Sequence, residues 1–460
     1  MFQRCYNGVR LVDAPSPDNV RRLDFGAIPM VMRMQENGIL IDPSHFASLS
    51  KYLQSECERI TEEIRKMTGY LINVGSPDQV AELLFTKIGI KPPQFLKKTG
   101  SGKRFSVNDE ALSGMKDLHS CIPLIQQYNE CSKLENSYCN VLPTLTDENN
   151  RIHSTLKVTR QVSGRISSSD PNLMAQPTRT DLGRRIRNGF VAGKGKKLGT
   201  IDQSQIEMRV AAHRSNCISM IDTFLRDGDI HVETATRIFF PDLPAKLGHM
   251  PSKKEAKEAG MDDMKHRYPA KRIGFGVLFG ITESGLRDQI VVASDPSWTS
   301  AERMAYIDSW SEKRCEETIV AWFDVYSEIR EYMQEEHSKV RRYGHACDMW
   351  GRIRLLPEVK SVHRRLQMEG LRACGSHGIQ SSAQGTIKLA MAEIWDTICR
   401  EKLPIEPILQ IHDELLFEGD EDAMDECLNR FGEIMERCVM LSVPIRWNAG
   451  SGYDWGSLEK

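Results

Sequence analysis

Residues 405–417, IEPILQIHDELLF, limit the fold more than any other stretch of the chain. Two apolar runs flank a tight polar turn, which reads as strand, turn, strand. A lone hairpin is marginal in water, so these strands need further elements to cover them. Residues 197–201, KLGTI, read as another strand ending at Asp202, and 152–158, IHSTLKV, alternate as a third. Helical patterning fills the chain from about 204 to 340, broken by the polar stretch 241–266. Strands in the second and last thirds, separated by a helical block, predict an α+β chain.

The first third reads as helical. Residues 1–24 read as a tail or linker, with Asp13-Ala14-Pro15-Ser16-Pro17 as a breaker cluster. From Pro29, Met30, Val31, Met34 and Ile39 leave one apolar face, and Gly38 marks the end of that helix. Residues 44–68 carry Phe46, Leu49, Leu53 and Ile60 along a second helical stripe. Ser76-Pro77 is a cap with proline at the first helical position. Residues 91–104, KPPQFLKKTGSGKR, form a loop rich in Lys, Gly and Pro. Such a loop is usually a solvated connection, and it also has what a cationic clamp on a phosphate backbone needs.

At 460 residues, with 40% hydrophobic and 27% charged residues, the chain has ample core for several folding units and is not disordered throughout. No apolar run reaches the ~18 residues of a membrane span, and the first residues lack a signal-peptide stretch. Twelve cysteines without a CxxC pair speak against a zinc ribbon or disulfide framework, and predict reduced thiols in the cytoplasm. The net charge of −2 conceals a polarised distribution. Residues 157–197 hold ten Lys/Arg against two acids, while 393–436 hold fourteen acids against three basic residues. The basic band is either a solvated face or a contact for a polyanion.

Two carboxylates stand at rigid positions. Asp202 ends an apolar strand, with a helix expected from Ser204, and Asp413 sits in the hairpin turn. Such carboxylates are hard-oxygen ligands for Mg²⁺, and two ions roughly 3.5–4 Å apart can activate an attacking oxygen and stabilise a leaving one. Aspartate is also a common turn-former or helix cap. Arg267, Lys271, Phe275 and Phe279 recur every four residues and share one helical stripe. Its order of two cations and two rings matches a nucleoside triphosphate, with phosphates at one end and a flat base at the other. Core packing of the rings with snorkelling cations accounts for the same pattern. Gly274, Gly276 and Gly280 each cost roughly 1 kcal/mol in a helix interior, which points to close backbone approach or a moving element.

Taken together, these segments resemble the signature motifs of family A DNA polymerases, the DNA polymerase I family of bacteria and bacteriophages. The family's Asp-Tyr-Ser-Gln-Ile-Glu is matched by Asp202-Gln203-Ser204-Gln205-Ile206-Glu207. Its Arg-x3-Lys-x3-Phe-Gly-x2-Tyr-Gly is matched from Arg267 to Gly280, and its His-Asp-Glu by His412, Asp413 and Glu414. The resemblance extends to Ser163-Gly164-Arg165, Asp170-Pro171-Asn172-Leu173, Gly183-Arg184-Arg185, Asp229-Ile230-His231, Gln384-Gly385-Thr386 and the ending Gly450-Ser451-Gly452-Tyr453-Asp454-Trp455.

The resemblance implies a right-hand architecture around primer–template DNA. Residues 25–44 would lead into the palm, 45–150 would be thumb, 151–215 palm, 216–340 fingers and 341–460 palm again. It implies attack of a primer 3′-hydroxyl on the α-phosphate of a dNTP with release of pyrophosphate, using two Mg²⁺ ions for which Mn²⁺ can substitute. Asp202, Asp413 and the Gln203 backbone carbonyl would hold the metals, with Glu414 in support. Arg267, Lys271 and His231 would hold the triphosphate, Lys271 also giving a proton to pyrophosphate, with Phe275, Phe279 and Gln205 in the dNTP site. Glu207 matches the steric gate that excludes a ribose 2′-hydroxyl, and phenylalanine at 275 goes with refusal of dideoxynucleotides. Arg165, Arg179, Gln380, Gln384 and His412, with Lys97 and Lys98 of the basic loop, would contact DNA.

Gln203, Phe279, Gly274 and Gln380 depart from the family's tyrosine, tyrosine, asparagine and asparagine. The stretch 241–266 looks longer than its counterpart. Residues 1–24 offer no exonuclease domain, so the expectation is a phage-like polymerase without proofreading of its own. A separate exonuclease and replisome proteins are candidate partners, in the cytoplasm of a bacterial host and away from any membrane, and whether proofreading comes from another polypeptide is left open by the sequence. A single-subunit RNA polymerase shares the hand and both aspartates, but Glu207 and the His-Asp-Glu triplet favour deoxynucleotides. A catalytically silent DNA-binding relative would not need Asp202, Asp413, Lys271 and Arg267 together.

Overall fold

In the computed structural model, the described residues are 15–92, 96, 98, 99, 102, 104–177, 180–291 and 298–458, with two short strands at Cys5–Tyr6 and Val9–Arg10. Helix α1 (Pro17–Asn37) starts well before the expected Pro29, so 17–24 is no tail. Ser16 accepts from the Asn19 amide and Pro17 takes the first position, the same signal that opens the helix at Ser76. Pro29 lies inside α1. Helix α2 (Pro43–Thr68) follows its predicted bounds, capped by Asp42, and buries Phe46, Leu49, Leu53, Ile60 and Ile64.

The central sheet contains β1 (Lys196–Gln203), β2 (Ile405–Ile411), β3 (Glu414–Asp420) and β4 (Trp447–Gly452), in the order β2-β3-β1-β4 and antiparallel throughout. The hairpin read from sequence is β2–β3, and its partner is the strand that ends beside Asp202. The stretch 152–158 is not one strand. Arg151–Ile152 pairs with Ile39–Leu40, and Thr155–Lys157 with Ser167–Ser169. Between them Ser154 turns inward, its hydroxyl 2.6 Å from Ser168 Oγ and donating to the Pro171 carbonyl at 2.8 Å.

Helices α3 (Ile206–Ser215), α4 (Ile230–Phe239), α5 (Tyr268–Leu278), α6 (Arg364–Glu401) and α7 (Met424–Arg437) complete the frame of the site. Three large apolar cores organise the described residues. One brackets the sheet, bringing Leu198, Ile201, Leu415 and Phe417 together with Phe431 of α7 and Met30 of α1. A second joins α3, α4 and α5 through Val210, Ile230, Ile273 and Leu278, with Trp322 and Ile329. The third gathers Ile60, Ile64, Leu83, Leu112 and Ile122.

Helix α6 ties the first two cores together, its 38 residues spanning about 57 Å. Ile387, Met391 and Ile394 enter the first, while Ile379, Ala383 and Leu389 enter the second. Lys388 of α6 is fully buried. Its ammonium donates to Asp24 Oδ1 at 2.7 Å and to the Val158 carbonyl at 3.0 Å, and Arg352 Nη2 donates to the same Asp24 oxygen at 2.7 Å. Burial pulls the Lys388 pKa down to about 8, against the stabilising charge of Asp24.

The polar stretch 241–266 is more ordered than its composition suggests. It forms helices at Leu243–Leu247 and Lys253–Glu258, the second closed by a Ser252–Glu255 capping box. Ala256 and Met261 anchor it on Val232, Ala235 and Ala270. In the basic loop, the Thr99 amide donates to the Arg104 carbonyl at 2.8 Å, and Lys98 bridges to Phe105. Among the described residues no helix is long and apolar enough to cross a membrane.

Candidate active site

The β1 register sets the first group of side chains. Asp202 lies opposite Glu414 of β3 on one side and opposite Asn448 of β4 on the other. Directly opposed residues in antiparallel strands project to the same face, so Glu414, Asp202 and Asn448 form one row across three strands. Asn448 Nδ2 donates to Asp202 Oδ1 at 3.2 Å. Asp413 occupies the two-residue turn between β2 and β3, where the Gln203 amide donates to its backbone carbonyl at 3.4 Å. Two residues 211 positions apart in sequence thus meet at adjoining strand ends.

Two flanking residues hold uncommon backbone conformations. His412 has φ of 58° in the turn, its carbonyl bound by the Gln410 side-chain amide. Gln205 has φ of 52° and ψ of 35°, which delays α3 to Ile206 rather than Ser204. Left-handed non-glycine residues of this kind each store about 1–3 kcal/mol and cluster where position matters more than stability. The Gln203 side chain is buried and accepts from the Thr386 hydroxyl of α6 at 3.0 Å. That fastens β1 to α6 and leaves only the backbone of Gln203 for the strand-end site.

Beside Asp413 lies a cavity of about 220 Å³ walled by Arg165, Glu207, Gln380, Gln384 and His412. Arg165 Nη2 donates to Glu207 Oε1 at 2.7 Å. Burial raises the Glu207 pKa, Arg165 lowers it, and the charge of Asp413 raises it again. Burial likewise lowers the pKa of His412. Gln384 Nε2 is buried with no protein partner. Gln205 Oε1 is buried without a protein partner as well.

A second group forms on α4 and α5. Arg267 donates to Asp229 Oδ2 through Nε at 3.1 Å and Nη2 at 2.6 Å. The other Asp229 oxygen caps α4, accepting from the His231 and Val232 amides at 2.9 and 3.2 Å. His231 is buried, and burial drives its pKa down to about 4 against the pull of Asp229, so the ring is neutral near pH 7. Its centroid lies 5.7 Å from that of Phe275. The stripe on α5 runs along the edge of the second core, against which Phe275 and Phe279 pack. Lys271 is exposed and Phe275 and Phe279 are half-buried, while Ala270, Ile273, Val277 and Leu278 face inward. Arg267 and Phe279 flank the α-helix itself, in a π-turn before it and at its C-cap.

The two groups are linked through α3, since a Cβ built on Gly274 of α5 would lie 3.6 Å from Met208, the neighbour of Glu207. Arg179 and Lys97 lie outside the described residues. Lys98 is exposed, with its ammonium 5.7 Å from the centre of the Phe105 ring. Sequence reasoning gave no role to Asn448, Asp229 or the Asp24–Arg352–Lys388 cluster. Asp229 carried a signal, an aspartate just before an apolar helical run. Lys388 carried another, a single charge inside Thr386–Ala392.

A profile described as DNA polymerase family A matches residues 43–457. DNA polymerase I, thermostable, of Thermus filiformis is 33% identical over 427 residues, covering 93% of this chain and 47% of the relative. The protein of the same description from Thermus thermophilus is 31% identical over 432 residues, covering 94% and 47%. DNA polymerase I of Bacillus subtilis is 29% identical over 424 residues, covering 92% and 44%. The chain thus spans about half the length of the curated relatives it matches. Among solved structures, the POL domain of Pol1 from M. smegmatis, in complex with DNA primer-template and dNTP, superimposes with a TM-score of 0.79. That pair shares 27% identity over 95% of this chain and 70% of the other.

Proposed function

The chain belongs to DNA polymerase family A, and we propose that it extends a DNA primer on a template by transferring dNMP from dNTP to the primer 3′-hydroxyl. Its α+β fold is the right-hand polymerase architecture, with an antiparallel palm sheet, helical fingers and a helical thumb. We assign the thumb to 45–150, which holds the third core, the fingers to 216–340, and the palm to 151–215 and 341–460, with α1 leading in. The observation that carries the reading is the meeting of Asp202 with the Asp413 turn at the mouth of the cavity that holds Glu207.

The strand-end donors suit Mg²⁺. That ion takes one or two carboxylates, keeps water and uses substrate phosphates. Among the described residues no group of three or more His, Cys, Asp or Glu is placed to hold a metal ion, so the remaining ligands would have to come from backbone, water and substrate. Asp202, Asp413 and the Gln203 carbonyl would hold two Mg²⁺ ions, or Mn²⁺ in their place, with Glu414 alongside. When bound, they activate the primer hydroxyl and stabilise charge on the leaving oxygens.

The remaining work falls to the protein. Arg267 and Lys271 bind the triphosphate, and Lys271 gives a proton to pyrophosphate as it leaves. His231 supplies an N–H donor to the triphosphate. Phe275 and Phe279 pack on sugar and base, with Gln205 beside them. Glu207 fills the space a 2′-hydroxyl would need. Arg165, Gln380, Gln384 and His412 face the duplex end, and Lys98 tracks its phosphates.

The test is extension of a labelled primer on a DNA template with Mg²⁺ and dNTPs, beside Asp413→Ala. Extension by the parent alone is expected. If neither protein extends while both shift the primer–template in a gel, the activity assignment fails. A lane without dNTPs is expected to show an intact primer, because we propose no 3′–5′ exonuclease activity within these residues.

A further inference from the structure

The Glu207 carboxylate has a single anchor. Among the described residues Arg165 is the one hydrogen-bond partner of that side chain, at 2.7 Å. A glutamate has three rotatable bonds and, left to itself, samples several rotamers. A gate that excludes one oxygen atom has to stand still to within a fraction of an ångström. The strand-end strain at Gln205 fixes where α3 begins, but it does not fix where the Glu207 carboxylate points.

Arg165 is itself held from behind. Gly164 has φ of 71°, and a Cβ there would lie 2.7 Å from Arg352 Nε, so the Arg352 side chain packs directly on this turn. Arg352 is bound to Asp24, which also takes the buried ammonium of Lys388. Lys388 follows Gln384 by one helical turn on α6, and Gln384 lines the same cavity as Arg165 and Glu207. The residue after Arg165, Ile166, is buried in the sheet core. A chain of fixed contacts therefore runs from the buried charge cluster, through the Gly164–Arg165 turn, to the carboxylate over the sugar space.

We infer that Arg165 is a positioning residue for sugar selection: its ion pair holds Glu207 where a 2′-hydroxyl would sit, so that ribonucleotide refusal depends on Arg165 as well as on Glu207. This rests on the reading of Glu207 as the steric gate. Because Arg165 also stands at the wall shared with Gln384 and His412, it joins the seating of the primer terminus to the refusal of a wrong sugar. Charge removal at 165 takes away the one described hydrogen-bond partner of a half-buried carboxylate, which then swings among its rotamers.

The experiment measures kcat/KM for dNTP and for the matching rNTP in four proteins: the parent, Arg165→Met, Glu207→Ala and the double variant. Thermal melts and primer–template gel shifts confirm folding, and Arg165→Lys serves as the conservative control. Arg165→Met is expected to lower the dNTP-over-rNTP ratio about tenfold, beyond any loss common to both substrates. In the Glu207→Ala background the same substitution is expected to leave the ratio unchanged, and Arg165→Lys to retain part of it. If Glu207→Ala relaxes selection but Arg165→Met keeps the parental ratio, the inference fails and the gate stands. An equal drop in both backgrounds also overturns it. If Glu207→Ala itself keeps the ratio, the gate reading falls and this inference with it.

Discussion

Asn448 reaches across the β4–β1 pair to donate to Asp202 Oδ1, from the side of β1 opposite the hairpin that bears Asp413. It orients the carboxylate from outside the cavity. Replacing it with alanine should cut the extension rate about three- to tenfold, the worth of one such hydrogen bond, with little change in melting temperature. Asn448→Asp should cost more, since it sets a like charge directly opposite Asp202. A parental rate in Asn448→Ala would remove Asn448 from the site.

Asp229 combines a helix cap with a grip on Arg267. Asn at 229 keeps the cap oxygen but gives up the charge, whereas Ala loses both. Asp229→Asn is expected to raise KM for dNTP about tenfold with a small change in stability. Asp229→Ala should add roughly 1 kcal/mol of destabilisation from the lost cap. Steady-state kinetics beside thermal melts separate the two effects. A KM unaffected by Asn would mean that Arg267 needs no partner to meet the phosphates.

His231 makes the fold acid-sensitive in a defined window. Its folded pKa of about 4 lies below the ordinary 6.5, so between those values the unfolded chain binds the extra proton. Stability is unaffected by this group above pH 6.5 and falls as the pH drops from there toward 4, at up to about 1.4 kcal/mol per pH unit. Burial lowers His213, His266, His337 and His377 as well, and they add in the same direction. Urea midpoints of the parent and His231→Gln, taken from pH 7 to 5, should converge as the pH falls. Parallel curves would contradict the assignment.

Gly274 does not need to be glycine. A Cβ there meets Met208 at 3.6 Å and the Trp322 indole at 3.9 Å, ordinary contacts within a helix. Gly274→Ala should stabilise by about 0.5–1 kcal/mol, seen as a higher melting temperature. Gly276→Ala should not, because its Cβ would lie 2.9 Å from Ile281. Equal effects at both positions would show that helix propensity outweighs packing in α5.

The parts of the site legible in sequence are those encoded locally. Asp202 and Asp413 were found because apolar strand runs end at them, and the cation-to-ring stripe because its four-residue spacing survives folding. The Asn448–Asp202 and Arg165–Glu207 contacts depend on strand register and on a turn far away in the chain, so no local pattern announces them. The delayed start of α3 turns on one left-handed residue, Gln205, of a type that carries no such preference. Helix α1 begins at Pro17 rather than Pro29 for a different reason. Its Ser16-Pro17 cap lies inside the Asp13–Pro17 cluster, whose composition signals a break, although the same pair opens the helix at Pro77.

The family profile begins at residue 43, but the counter-charge for Lys388 sits at residue 24. The packed unit therefore extends beyond the profile, as do the matches to the relatives, one of which runs over 449 residues. A polypeptide trimmed to the family boundary would strand an ammonium and a guanidinium in an apolar interior, a defect of about 3–5 kcal/mol for a broken buried pair. It would also loosen Arg352 behind the Gly164–Arg165 turn. Trimming would reach the candidate site beside Asp413 from the far end of the chain, and Asp24 is the residue at which to set the limit.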